Sequence, residues 1–210
     1  MVDTKVSALP AVTTPDGTDE FLVNQAGTSK KVTLAQINAY TDPLRSASTA
    51  AQAMAVADTY ITSSRIVLPQ AKMQAGVFYR CVLTFTKTAG TAASTVTVRT
   101  GTAGTTADTS RATLATAGTH TSVADVLTVE VEATFRAVGA AAVINTTIRS
   151  FKNAATNVGF GTQQPFITNT TSATFDSSSS SMGIGVSFTG GTAFAGSAQQ
   201  VIPELKNMAD

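Results

Sequence analysis

The sequence predicts a mainly β protein: an antiparallel β-sandwich of jelly-roll type, preceded by a short α-helix and a small N-terminal hairpin-helix unit. Three observations carry this expectation. After residue 62, long stretches alternate apolar and polar residues with a period of two, the spacing of a strand with one face buried and one face wet. Clusters of Gly, Ser, Thr and Asn separate those stretches. No helical spacing occurs among them, and no fixed repeat period marks a solenoid. The organisation that follows is 1–41 as an anchoring segment, 42–61 as a connecting helix and 62–210 as the sandwich. With 210 residues, 43% of them hydrophobic, the chain has material for one sizeable β domain and a small accessory unit.

Residues 6 to 40 begin with Val6-Ser7-Ala8-Leu9-Pro10 and the turn-rich Thr14-Pro15-Asp16-Gly17-Thr18. Glu20 to Asn24 then reads as a strand, Gln25 to Ser29 as a turn and Lys30 to Val32 as the returning strand. Thr33 and Gln36 have the capping-box spacing, in which each residue satisfies a backbone N–H of the first helical turn, so a short helix is expected to about Tyr40. Fewer than about 40 residues bury too small a fraction of their surface to be stable without a partner, and this unit is expected to dock.

The arrangement Ser7-Ala8-Leu9-Pro10, Asp16-Gly17-Thr18-Asp19-Glu20-Phe21-Leu22-Val23 and Gly27-Thr28-Ser29-Lys30-Lys31-Val32-Thr33-Leu34-Ala35-Gln36-Ile37 resembles the N-terminal segment of many tailed-bacteriophage structural proteins. Tail fibres, neck or head fibres and capsid spikes belong to that group. The resemblance implies attachment to another virion protein of capsid, neck or tail, with Leu9, Pro10, Phe21, Val23, Lys30, Lys31, Leu34 and Ile37 as anchor residues. It also implies a homotrimer, because sandwiches of such fibres and spikes pack three around an axis.

Between anchor and sandwich, Asp42 and Pro43 form a helix start: a short acceptor side chain caps free N–H groups, and proline suits the first turn. Less polar residues then recur at Leu44, Ala47, Ala51, Met54 and Ile61, a three-four spacing broken only by Asp58. A helix of roughly 18 residues with an Ala-rich seam is marginal by itself. Two partners for the seam remain open: copies of the same helix in an oligomeric neck, or the β domain of its own chain.

Beyond the helix the expected strands are 65–68, 77–87, 95–100, 111–116, 126–138, 142–151, 173–176, 182–188 and 199–205. In the second, Tyr79, Cys81, Leu83 and Phe85 form the apolar face. In the fifth, Leu127, Val129, Val131, Ala133, Phe135 and Ala137 alternate with Thr128, Glu130, Glu132, Thr134 and Arg136. Pro203 lacks the N–H that a ladder needs, which places the last strand at an edge or an end. The loop Gly101-Thr102-Ala103-Gly104-Thr105-Thr106-Ala107-Asp108 resembles one met in the β domains of phage fibre and spike proteins, where it is structural.

Charge and composition argue against several functions. Fourteen basic residues against thirteen acidic, with 13% of the chain charged, leave no electrostatic footprint for nucleic acid or an anionic membrane. The start Met1-Val2-Asp3-Thr4-Lys5 lacks a signal-peptide core, and no stretch of 18 apolar residues exists, so synthesis in a cytoplasm and no membrane insertion are expected; the phage resemblance implies that this cytoplasm is a bacterial host's. Cys81, the single cysteine, falls on an alternating apolar face and reads as a buried thiol. His120, the single histidine, has Ser122 and Asp125 close in sequence, but a triad is a geometry and not a spacing; an exposed loop histidine is the expectation. Gly101 to Gly104 lacks the lysine and following helix of a phosphate loop. Glu130 and Glu132 share a wet strand face, which is ordinary strand chemistry before it is a glycosidase pair. Asp176 followed by five serines reads as a mobile exposed loop. Asn145-Thr146-Thr147 and Asn169-Thr170-Thr171 fit a glycosylation pattern that a phage protein does not use.

Together these observations predict a non-enzymatic virion protein with no cofactor and no metal: a fibre, spike or decoration subunit that associates with itself and with one other virion protein. The competing expectation is a receptor-binding module whose sandwich recognises a host surface glycan. An enzyme degrading surface polysaccharide is a third class, with Glu130 and Glu132 as its one candidate pair.

Overall fold

The computed structural model describes residues 20–25, 28–33, 44–45, 47–152, 158–162 and 166–208. The chain divides into two compact units, Met1–Asp42 and Pro43–Asp210. In the first, β1 (Glu20–Gln25) and β2 (Thr28–Thr33) form an antiparallel hairpin with Glu20 opposite Thr33 and Gln25 opposite Thr28. The ladder is longer and its connection tighter than the expected five-residue turn. Lys31 Nζ lies 2.6 Å from Glu20, an exposed pair of small energetic weight. The expected helix to Tyr40, and Leu9, Pro10, Leu34 and Ile37 with it, lie outside the described residues.

The second unit is built from strands: β3 (Leu44–Arg45), β4 (Gln52–Met54), β5 (Thr59–Tyr60), β6 (Ile66–Val67), β7 (Phe78–Ala89), β8 (Thr95–Gly101), β9 (Thr109–Ala115), β10 (Asp125–Ala137), β11 (Val143–Lys152), β12 (Phe166–Thr171), β13 (Gly183–Thr189) and β14 (Ala195–Lys206). They make two antiparallel sheets. The larger runs β12-β11-β10-β7-β14-β3, with β4 also on β14; the smaller runs β5-β13-β8-β9, with β6 also on β13.

Alternation decides which side chains meet. Tyr79, Cys81, Leu83 and Phe85 of β7 and Leu127, Val129, Val131, Ala133 and Phe135 of β10 are all fully buried. They belong to the same buried cluster as Val96 and Val98 of β8 and Ile184, Val186 and Phe188 of β13. The rings of Phe85 and Phe188, from opposite sheets, stack at 4.4 Å, and Phe194 meets Phe188 at 5.3 Å. Tyr79 keeps its hydroxyl satisfied by donating to the Ser64 carbonyl at 2.7 Å. Cys81 is buried as expected, and burial pushes its thiol up to about 12.

The connecting helix is corrected by the structure. Its described residues form short strands: Leu44–Arg45 pairs with Glu204 and Leu205, Ser48 bridges Val201, and Gln52–Met54 pairs with Gly196 to Ala198. Ala47 and Ala51 are exposed, whereas Met54 and Ile61 lie inside the shared core. The seam of Leu44, Ala47, Ala51, Met54 and Ile61 is therefore not one face of a helix. Helix propensity of the alanines is worth a few tenths of a kcal/mol per residue, less than leaving the outer N–H and C=O groups of β14 unpaired. Gln52 joins the sheets: its Nε2 donates to the Tyr60 carbonyl at 2.7 Å and its Oε1 accepts the Thr62 N–H at 3.1 Å.

Three further differences concern strands. The expected strand 173–176 is absent apart from a bridge between Phe175 and Ala142, and the edge position is taken by β12, whose Asn- and Thr-rich sequence gives no clear alternation of apolar residues. β14 is interior, with β7 on one side and β3 and β4 on the other. Val201 exchanges both its backbone hydrogen bonds with Ser48, so two residues on the Pro203 nitrogen faces the same β3–β4 side and takes no donor from the β7 ladder. Ile61→Ala is expected to lower stability by about 2–5 kcal/mol in urea unfolding, the loss for a fully buried Ile. A helical seam outside the core predicts a change in oligomeric state with little loss of subunit stability.

Candidate functional site

On the outward face of the smaller sheet, alternation places Arg99 and Gly101 of β8 beside Gly183, Gly185 and Ser187 of β13, with Arg99 opposite Gly185. Arg99 spends its guanidinium on three partners. Nε donates to Ser187 Oγ at 2.8 Å, Nη1 to the Asp108 carbonyl at 2.7 Å, and Nη2 to Asp58 Oδ2 at 2.5 Å. Asp108, 5% exposed, turns back into the loop that precedes it: Oδ1 accepts the Ala103 N–H at 3.0 Å and Oδ2 the Gly104 N–H at 2.9 Å. The 101–108 loop thus closes on its own carboxylate. The N–H groups that an anion would need are already taken, which explains physically why the Gly101–Gly104 stretch is a turn. Arg65 ties this loop to the serine run through Nη2, which donates to the Ser181 carbonyl at 2.8 Å and the Thr102 carbonyl at 3.4 Å.

Tyr60 lies on the same face, opposite Ser187. A Cβ at Gly185 would come within 2.2 Å of the Tyr60 hydroxyl, and one at Gly183 within 2.8 Å of Arg65 Nε, so the two glycines form the floor on which both side chains rest. Burial, assisted by the Asp108 charge and opposed by Arg65 and Arg99, pushes the Tyr60 phenol up to about 12.

A second polar cluster sits at the end of the core. Parity carries the apolar face of β7 one step past Phe85 to Lys87, and Lys87 is 1% exposed opposite Asp125, 3% exposed, on β10. Among the described ion pairs none joins the two. Instead they grip one peptide group from both sides: Lys87 Nζ donates to the Gly159 carbonyl, and Asp125 Oδ2 accepts the Phe160 N–H at 3.1 Å. The second oxygen of Asp125 accepts the Val126 N–H at 2.8 Å, and the Lys87 ammonium stands 5.6 Å from the Phe160 ring centroid. Charge-assisted hydrogen bonds to a peptide are what make two buried charges tolerable there.

His120 is not the exposed loop residue expected. It is partly buried and its Nε2 lies 2.8 Å from Thr116 Oγ1. Burial, then the nearby Lys87 charge, hold its pKa below the ordinary value, against a hydrogen bond to the Gly118 backbone. Asp125 bonds to backbone N–H groups rather than to the imidazole, so the set His120, Ser122, Asp125 is not brought together as a catalytic triad. Glu130 and Glu132 are ion-paired, at 3.9 Å with Arg80 and 2.7 Å with Arg149. The serine run is tied down in places: Ser177 is 1% exposed and its hydroxyl meets the Gly139 N–H at 2.9 Å, while Asp176 accepts from the Ser178 N–H at 2.8 Å. Asn145 Nδ2 of β11 donates to Asn169 Oδ1 of β12 at 3.3 Å, a diagonal contact, since Asn145 stands opposite Thr171 and Asn169 opposite Thr147. Among the described residues there is no group of three His, Cys, Asp or Glu placed to hold a metal, and no helix long and apolar enough to cross a membrane.

Sequence reasoning missed both clusters. Lys87 had a signal, because it continues an inward-facing alternation as a charged residue; Arg99, Asp58 and Asp108 had none, since their partners are set by folding.

Gly185→Ala is expected to destabilise the fold by about 1–3 kcal/mol through overpacking against Tyr60, measured by urea unfolding, with Gly185→Ala/Tyr60→Phe recovering part of the loss. Tyr60 and Tyr79 are both raised above the ordinary value of 10.0, so a spectrophotometric titration should leave both protonated in the folded protein at about pH 11. The unfolded chain loses those protons first; the stability that the neutral phenols contribute is complete below the unfolded value and is lost as pH rises through the folded ones.

Comparison with family models, with curated proteins and with solved structures returns no match to this chain.

Proposed function

We propose that this chain is a non-enzymatic structural component of a tailed-phage virion, a fibre, spike or decoration subunit that attaches through its N-terminal unit and displays a trimeric jelly-roll sandwich. The observation that carries the reading is the Ser7–Ile37 pattern, which resembles virion-attachment segments and falls wholly within a compact unit separate from the β body. The trimer follows from the same resemblance.

The strand order supports the jelly roll. Eight strands, β4, β6, β7, β8, β9, β10, β13 and β14, give the orders β4-β14-β7-β10 and β6-β13-β8-β9. Every step along that chain crosses between sheets except β8 to β9, the winding of a double Greek key. The β11–β12 hairpin extends the larger sheet beyond β10. The polar side chains also favour a structural role. Arg99, Asp108, Lys87 and Asp125 are engaged in holding loops, and Glu130 and Glu132 in ion pairs.

Multi-angle light scattering at micromolar concentration is expected to give three times the chain mass, and a stable monomer overturns the trimer. Electron microscopy of particles carrying a tagged copy is expected to place the label at a fixed position on capsid, neck or tail. Absence of the chain from purified particles overturns the virion reading, and adherence of labelled protein to host cells, competed by free surface glycan, moves it to host recognition.

A further inference from the structure

We propose that His120, Lys87 and Asp125 form an acid-sensitive latch that holds the Val158–Thr162 segment on the end of the core and releases it when His120 gains a proton. The latch has two halves that meet on that segment. One is the bridged peptide group, with Lys87 on the Gly159 oxygen and Asp125 on the Phe160 N–H. The other is the turn carrying His120, which bonds to the segment on both sides: the Thr121 N–H donates to the Val158 carbonyl at 3.1 Å and the Thr119 N–H to Thr162 Oγ1 at 3.1 Å. Between them, Gly161 packs so closely that an added Cβ would lie 2.2 Å from the Ala117 carbonyl and 3.0 Å from His120 Nε2. Its φ of +103° suits glycine alone. The segment is not merely glued by apolar contact, although Phe160 is fully buried and its ring lies 6.2 Å from that of Phe194.

The neutral imidazole is the form this packing favours, because the ring is partly buried against Gly161, where a charge is less well hydrated than in water. Thr116 Oγ1 accepts the Ser94 N–H at 2.9 Å and lies 2.8 Å from His120 Nε2, so with a neutral ring the hydroxyl proton is free to point at Nε2. Protonation makes Nε2 a donor and forces that hydroxyl to turn toward the Ser94 carbonyl, 3.3 Å away. It also sets a second positive charge near the Lys87 ammonium. Among the described residues, the charged groups of β7, β10 and β11 at this end of the core are Lys87, Asp125 opposite it, and Lys152 opposite Leu127. The single carboxylate among them already has both oxygens on backbone N–H groups. The added charge therefore meets the poor hydration of a partly buried ring and the Lys87 ammonium, both of which oppose protonation. A histidine whose folded pKa is depressed contributes stability that is present above the unfolded value and is lost as pH falls through that value toward the folded one, which is the direction of release.

The test uses the full chain. His120 is the only histidine, so its ring proton resonances report its titration without assignment. That midpoint is compared with the amide hydrogen exchange of 117–125 and 158–162, corrected for intrinsic rates, from about pH 8 to about pH 5. The expected result is a severalfold rise in exchange of those peptides, with the same midpoint as the ring titration and without a matching rise in β7 or β10. His120→Gln, which stays neutral, should remove the pH-dependent step, and Lys87→Met should move the ring titration upward. Exchange that stays flat through the His120 titration, or a step that persists in H120Q, overturns the latch. If either variant fails to fold, the coincidence of the two midpoints in the unaltered protein decides by itself.

Discussion

The structure of the β body depends on one constraint: two antiparallel sheets must bury their inward faces in the same apolar cluster. Because side chains alternate strictly along a strand, a register slip of one residue in β7 would exchange Tyr79, Cys81, Leu83 and Phe85 for Arg80, Val82, Thr84 and Thr86. The Phe85–Phe188 stack marks where the two inward faces close on each other. Everything else is fitted around that match. The short pieces β3 to β6 exist because the edges of β14 and β13 need backbone partners, and Met54, Ile61 and Ile66 enter the core from them.

Polar groups mark the places where this apolar logic ends. At the end of the core, a lysine continues the apolar parity of β7 and its charge is met by a peptide group that an aspartate holds from the other side. On the outward face of the smaller sheet, glycines at 183 and 185 remove side chains so that Tyr60 and Arg65 can lie against the backbone. In both places charge is used to hold a loop in one position. A loop held by a charged hydrogen bond is ordered at little cost in apolar surface, which suits a chain with 13% charged residues and many Gly, Ser and Thr in its connections.

The proposed virion role and this mode of construction fit one another. A particle protein gains from a body whose loops are stapled individually, because a displayed surface then keeps its shape without a large core beneath every loop. The N-terminal unit follows a different logic. Its described residues are the hairpin β1–β2, with one exposed ion pair between Glu20 and Lys31, and a two-stranded hairpin is marginal in water by itself.

The strands with clear period-two patterns were legible from residues alone, because each carries the record of one buried and one wet face: β7, β8, β10, β11 and β13 fall within a residue or two of where alternation places them. So was the burial of Cys81. Tertiary structure decided the fate of 44–61, where a three-four spacing of alanines suggested a helix and the open edge of β14 demanded strands; local propensity is small beside a row of unpaired backbone groups. It also decided that β12, with little apolar pattern, forms the sheet edge, and that Pro203 sits harmlessly inside an interior strand. The partners of Arg99, Asp108, Lys87 and His120 were beyond the reach of sequence for the same reason. A hydrogen bond between residues up to 88 positions apart, as between Arg99 and Ser187, leaves no periodic trace in the chain and appears only when the sheets have brought its ends together.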